Sequence, residues 1–146
     1  MNLLALIVLV TIAVMLPPLQ KQHSIPTVLV GNQRGAKSVK KYLGAVRNPD
    51  GVVLYQAMTY FYTVRGAVVL HGHSRVLFFD KNWKQLAYCE FGTPDELPTK
   101  LLKNNLYFNY VGANNQSIEH RQLIGSALLK QLCAEPNASC YPLFKE

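Results

Sequence analysis

No charged side chain occurs in the first twenty residues of this 146-residue chain, and no acid occurs before Asp50. All 15 Lys and Arg and all 8 acids therefore lie beyond residue 20, and the formal net charge of +7 belongs to that part of the chain. No apolar run comparable to the first one recurs downstream, and no cysteine follows it closely, which excludes a lipid-bearing lipoprotein cysteine. The basic residues are neither interleaved with aromatics nor carried on a recognisable module, so a nucleic-acid partner is not expected. The chain also lacks a nucleophile elbow or other local catalytic signature, internal repeats and low-complexity tracts.

What is there begins with Leu3–Leu16, an apolar run relieved only by Thr11 and stopped by Pro17 and Pro18. As a helix it is about 21 Å long, against roughly 30 Å of hydrocarbon for a spanning helix. That is long for a signal-peptide core and short for a comfortable anchor, and residues 1–20 read as a targeting segment, a signal peptide or an N-terminal membrane anchor, with neither a preceding Lys or Arg nor a small-x-small cleavage site present. Lys21, Arg34, Lys37, Lys40, Lys41 and Arg47 all precede Asp50, an asymmetry that by the positive-inside rule favours a cytoplasmic body. Cys133 and Cys140 argue the other way. They flank a short loop containing Pro136 and Asn137, and a disulfide between them persists only in an oxidising compartment. The short apolar length, the double proline and the cysteine pair together favour export, with the body outside the cytoplasm, periplasmic or secreted.

Residues 21–35 read as a basic linker, which beside a membrane is attracted to anionic headgroups by roughly 1 kcal/mol per basic residue. Residues 36–146 then form one domain, long enough for a single modest core. The expected class is α+β: an antiparallel meander of about four strands, with a short N-terminal helix and a C-terminal helix packed on one face. Ala36–Leu43 places Val39, Tyr42 and Leu43 on one helical side and Lys37, Lys40 and Lys41 on the other, with Gly44 as its stop. Asn48–Gly51 is a turn. Val52–Val64 is a central strand, with Met58, Tyr60 and Tyr62 on one face and Tyr55, Ala57 and Phe61 on the other. Strands Ala67–Asp80 and Lys84–Phe91 follow, joined by a turn in which Asn82 is the residue suited to a left-handed conformation; Gly72 marks a bulge or a close backbone approach. Thr93 and Pro94 start a short helix. After a strand at Asn105–Val111, Ser117 caps a closing helix running to about Ala134, its apolar stripe formed by Ile124, Ala127, Leu128 and Leu132.

Few residues carry chemistry. Gly31–Ser38 imitates a phosphate-binding P-loop, with Val76–Asp80 as the apolar run ending in a magnesium-site acid. Ala36 stands where the motif needs glycine, however, and the intervening meander lacks the required crossover, so nucleotide binding is the weakest reading. His71 and His73 share a strand face, and Cys89 is a third soft ligand, but two histidines flanking a glycine are ordinary surface residues. Cys89 is the odd cysteine, read as a small buried apolar group. No catalytic, cofactor-binding or metal-binding residue is assigned, and no cofactor is expected.

The order of helix, Gly44, the Asn48–Pro49 turn and a meander through the Val76–Asp80 strand resembles small helix-plus-meander envelope proteins of the outer-membrane-assembly lipoprotein and β-lactamase-inhibitor-protein type. Those families usually carry glycine where Trp83 stands here and two helices ahead of the sheet. The resemblance implies a non-catalytic role in scaffolding or inhibition. Together these readings describe an exported or membrane-tethered domain of the cell envelope that binds another envelope protein through its sheet or Tyr-rich edge and touches the membrane through residues 3–16. The alternative is a small envelope enzyme whose site is assembled from scattered residues.

Overall fold

The computed structural model describes residues 28–33, 36–65, 70–136 and 138–146. Among them are ten strands: β1 Val28–Gln33, β2 Ala36–Arg47, β3 Val53–Arg65, β4 Leu70–Phe79, β5 Gln85–Phe91, β6 Lys100–Leu102, β7 Asn105–Val111, β8 Ser117–Leu123, β9 Gln131–Glu135 and β10 Ala138–Lys145. A single 3₁₀ turn, Pro94–Glu96, separates β5 from β6. The strands form two antiparallel sheets, one of seven strands in the order β1-β2-β3-β4-β5-β10-β9 and one of three in the order β6-β7-β8.

The α+β expectation is overturned, because no helix of seven or more residues exists among the described residues. Ala36–Leu43 is not a helix but the first part of β2, paired on both sides, with β1 and with β3. Its lysines fall at helical spacing, yet two ladders of backbone hydrogen bonds outweigh a propensity difference of a few tenths of a kcal/mol per residue. Gly44 does not stop a helix. It sits at φ +146° in a bulge where Leu43 is the extra residue, and a Cβ there would meet the Leu101 carbonyl oxygen at 2.6 Å. The expected closing helix, Ser117 to Ala134, is instead β8, a connecting loop and β9. Ile124 and Leu132 of its apolar stripe do reach the core, and Leu128 packs against it half-buried, whereas Ala127 is exposed. Thr93 and Pro94 start only the 3₁₀ turn, where the Thr93 N–H and hydroxyl both donate to Glu96 Oε2.

The meander itself is present. The strand expected at Val52–Val64 is β3, third in its sheet, and Asn105–Val111 matches β7. Gly72 makes a close approach, since an added Cβ would lie 3.2 Å from the Phe61 ring, while the β4 irregularity falls at Phe78 and Phe79. In the turn after β4 the left-handed residue is Trp83, at φ 65°, and not Asn82. The Asp80 carboxylate fixes that turn by accepting from the Asn82 and Lys84 N–H groups at 2.8 and 2.9 Å. Trp83 then packs its ring on Tyr42 and Phe79. The sheet starts at Val28, within the stretch read as a linker.

Among the described residues no helix is long and apolar enough to cross a membrane. The targeting segment, residues 1–20, lies outside the described residues, as do Lys21, Arg34 and Gly35.

The core lies between the two sheets. Val46, Tyr55, Ala57, Val76, Phe78, Cys89 and Phe91 come from the large sheet, and Leu101, Leu106 and Phe108 from the small one; Ile124, just beyond β8, and Leu132 and Ala134 of β9 complete it. Two side-chain amides stitch the sheets together. Asn104, in the β6–β7 turn, accepts from the Arg47 N–H at 3.0 Å and donates to the Arg47 carbonyl at 2.7 Å. Gln122 of β8 likewise accepts from the Cys133 N–H at 2.9 Å and donates to the Gln131 carbonyl at 3.3 Å. Each amide supplies what a neighbouring strand's peptide group otherwise would.

Candidate binding face

Strand alternation sends every second residue of β2 to β5 away from the core, onto the outer face of the seven-stranded sheet. The pairing register aligns these residues in rows. One row runs Leu29, Lys40, Tyr60, Arg75, Glu90, and those beside it run Gly31, Ser38, Tyr62, His73 and Tyr42, Met58, Leu77, Tyr88, Phe144.

Within the rows the rings and cations pack on one another. Tyr62 lies between Tyr60 and His73, stacked on them with centroids 4.7 and 4.9 Å away. The Lys40 ammonium sits 4.8 Å from the Tyr60 centroid. The Arg75 guanidinium bridges the next gap, 5.4 Å from the Tyr62 ring and 5.0 Å from that of Tyr88, which in turn stacks on Phe144 at 5.2 Å. The array thus crosses five adjacent strands, β2 to β5 and β10, about 19 Å at the usual strand spacing.

Glu90 holds the middle of the array. Its carboxylate accepts from Arg75 Nε at 2.6 Å and pairs with His73 Nδ1 at 2.6 Å, with all three side chains about a third exposed. Burial on its own pushes the Glu90 carboxyl up, but the hydrogen bonds from His73 and Arg75 and the Arg75 charge outweigh it and hold the group below its ordinary value of 4.5. Glu90 is therefore ionised at neutral pH, and it fixes Arg75 between the two tyrosines. The phenol hydroxyls of Tyr60, Tyr62 and Tyr88 have no hydrogen-bond partner among the described residues. They stand free to donate to, or accept from, a bound surface.

Where β1, β2 and β3 meet, the face is indented. Gly31 and Ser38 form the floor of a cavity of about 320 Å³, walled by Lys40, Tyr60 and Tyr62. These are residues of the segment that imitates a P-loop, but Ser38 lies in a strand and not at the start of a helix. Asp80, its expected magnesium-site partner, is engaged in the β4–β5 turn.

The other residues singled out in the sequence separate. Cys133 and Cys140 face each other across the β9–β10 hairpin and form a disulfide. His71 and His73 lie on the outer side of β4, whereas Cys89 is fully buried on the core side of β5, so the three do not converge. Burial pushes the Cys89 thiol up to about 12, and its S–H donates to the Tyr141 carbonyl at 3.5 Å. Among the described residues no cluster of three or more His, Cys, Asp or Glu is placed to hold a metal ion.

Met58, Tyr60 and Tyr62 were legible as one strand face. Arg75, Glu90, Tyr88 and Phe144 join them only through cross-strand register, for which the sole sequence signal is the alternation His71, His73, Arg75 and Tyr88, Glu90. Comparison with protein-family models, with curated proteins and with solved structures finds no match to this chain.

Proposed function

We propose that this chain is an exported or membrane-tethered, non-catalytic binding module of the cell envelope, and that the outer face of its seven-stranded sheet is the surface that docks a partner protein. The observation that carries this reading is the array from Lys40 through Tyr62 and Arg75 to Phe144, which no other described segment covers. Tyr, Trp, Phe, Met and Arg are the residues enriched where protein surfaces meet, and Tyr, Trp and Arg dominate the energy of such contacts.

The packing of the rings favours a protein over a nucleic acid. Base stacking needs an open ring face. Here Tyr62 is flanked by Tyr60 and His73, and Tyr60 carries the Lys40 ammonium, so the array offers ring edges, hydroxyls and cations. The extracytoplasmic address draws support from the Cys133–Cys140 disulfide, since such bonds persist in oxidising compartments.

The test is capture of partners from envelope extracts by the immobilised chain and by two variants. Tyr62→Ala/Tyr88→Ala should lose the captured protein. Lys100→Glu, on the outer side of the small sheet, should retain it. Thermal melts confirm that both variants are folded. Capture that survives the double tyrosine variant, or that is lost equally in both, overturns the assignment of this face.

A further inference from the structure

The indentation at the β1–β2–β3 corner has the features of a subsite, and this inference rests on the outer face being the docking surface. We infer that the notch over Gly31 and Ser38 receives a carboxylate side chain from an acidic segment of the partner protein. Its shape depends on Gly31, because a Cβ there would lie 2.7 Å from Ser38 Oγ and close the floor. The space, about 320 Å³, is several times the ~30 Å³ share of one water and accommodates a Glu or Asp side chain with its hydration.

Its polar lining comprises Lys37, Ser38, Lys40, Tyr60, Tyr62 and Thr63; the Thr63 hydroxyl donates to the Lys37 carbonyl, Ser38, Lys40, Tyr60 and Tyr62 carry their donors on the outer face, and among the described residues neither lysine is paired with an acid. Of the charged groups nearby, Glu90 lies on the same row as Lys40 but three strands away, and is already engaged by His73 and Arg75. Asp50, the first acid of the chain, sits in the turn at the opposite end of the β2–β3 hairpin. This corner is therefore cationic without internal compensation, the complement of an acidic partner.

The donor set fits a carboxylate better than a phosphate. Phosphate sites draw on guanidinium forks or convergent backbone N–H groups. Here the Arg75 guanidinium is engaged with Glu90, β2 lies between β1 and β3 with its N–H groups used in the two ladders, and the Lys37 N–H donates to the Thr63 hydroxyl at 3.0 Å.

The probe is an acetylated peptide of alternating Glu and Ala, about ten residues long, titrated calorimetrically into the full chain at about 50 mM salt, where screening is modest. Saturable binding is expected, weakened roughly tenfold or more by Lys40→Glu, which juxtaposes like charges. Lys40→Gln should fall between, and Lys103→Glu, an equal charge change on an exposed residue of the β6–β7 turn, should leave the affinity within about twofold.

Absence of saturable binding, or equal loss in Lys103→Glu, overturns the proposal. So does a single-stranded oligothymidylate of equal charge that binds more tightly with the same dependence on Lys40. If the peptide fails while Tyr62→Ala/Tyr88→Ala still abolishes capture from extracts, the notch assignment falls and the docking face stands. If capture is also indifferent to that variant, both fall.

Discussion

At Tyr55 the phenol hydroxyl donates to the Gly125 carbonyl across 2.6 Å, tying β3 to the loop after β8, and burial pushes its pKa from 10.0 up to about 12. Cys89, fully enclosed on β5, is pushed by burial from 9.0 to about 12. In both cases the folded pKa lies above the unfolded value, so the stability that depends on the neutral form is complete below pH 9. It is lost as pH rises from the unfolded values of 9.0 and 10.0 through the folded values near 12. Melting temperature should accordingly fall steadily above pH 9, and less steeply in Cys89→Ala and Tyr55→Phe than in the parent. At neutral pH, Tyr55→Phe should cost about 1 kcal/mol by denaturant titration, the net worth of a hydrogen bond whose acceptor stays behind. A flat melting temperature between pH 8 and pH 11 would contradict the buried, neutral assignment of both groups.

Among the elements, the β9–β10 hairpin is held by the Cys133–Cys140 bond at the margin of the large sheet. Closing a loop this short removes chain entropy worth roughly 2.5 kcal/mol, so Cys133→Ser/Cys140→Ser should lower stability by about that amount. A loss near zero by denaturant titration would mean that the hairpin needs no covalent closure. The cysteine pair was legible from the sequence because Pro136 and Asn137 between the two residues imply a turn. The strands around it were not. In β8 the residues turned to the core side are Ile118, His120 and Gln122, and two of those three are polar. His120 stacks on Phe108 and Gln122 bonds to β9, so tertiary contacts satisfy groups that give no alternating hydrophobic signal. Ile124, Leu128 and Leu132 then imitate a helical stripe although a loop separates them. Strand β3 was readable for the opposite reason, since both its faces carry apolar or aromatic residues and Val, Tyr, Thr and Phe recur along it.

For the whole molecule, the two sides of the large sheet are used differently. The inner side is closed by the small sheet and contributes Val76, Phe78 and Cys89 to the core. The outer side carries rings, hydroxyls, Lys40 and a fixed Arg75. The Tyr-rich strand was visible in the sequence, with Met58, Tyr60 and Tyr62 on one face. Its continuation across β4, β5 and β10 was not, because neighbours in a sheet are distant in sequence and register decides which of them meet. A docking role for this side is tested most directly by site-specific photo-crosslinking in intact cells, with the photoreactive residue placed at Tyr62 or, as the control, at Tyr107 on the outer side of the small sheet. Docking through the array requires a discrete adduct with a second protein from position 62 and none from position 107. Adducts of equal yield from both positions, or from position 107 alone, would contradict it.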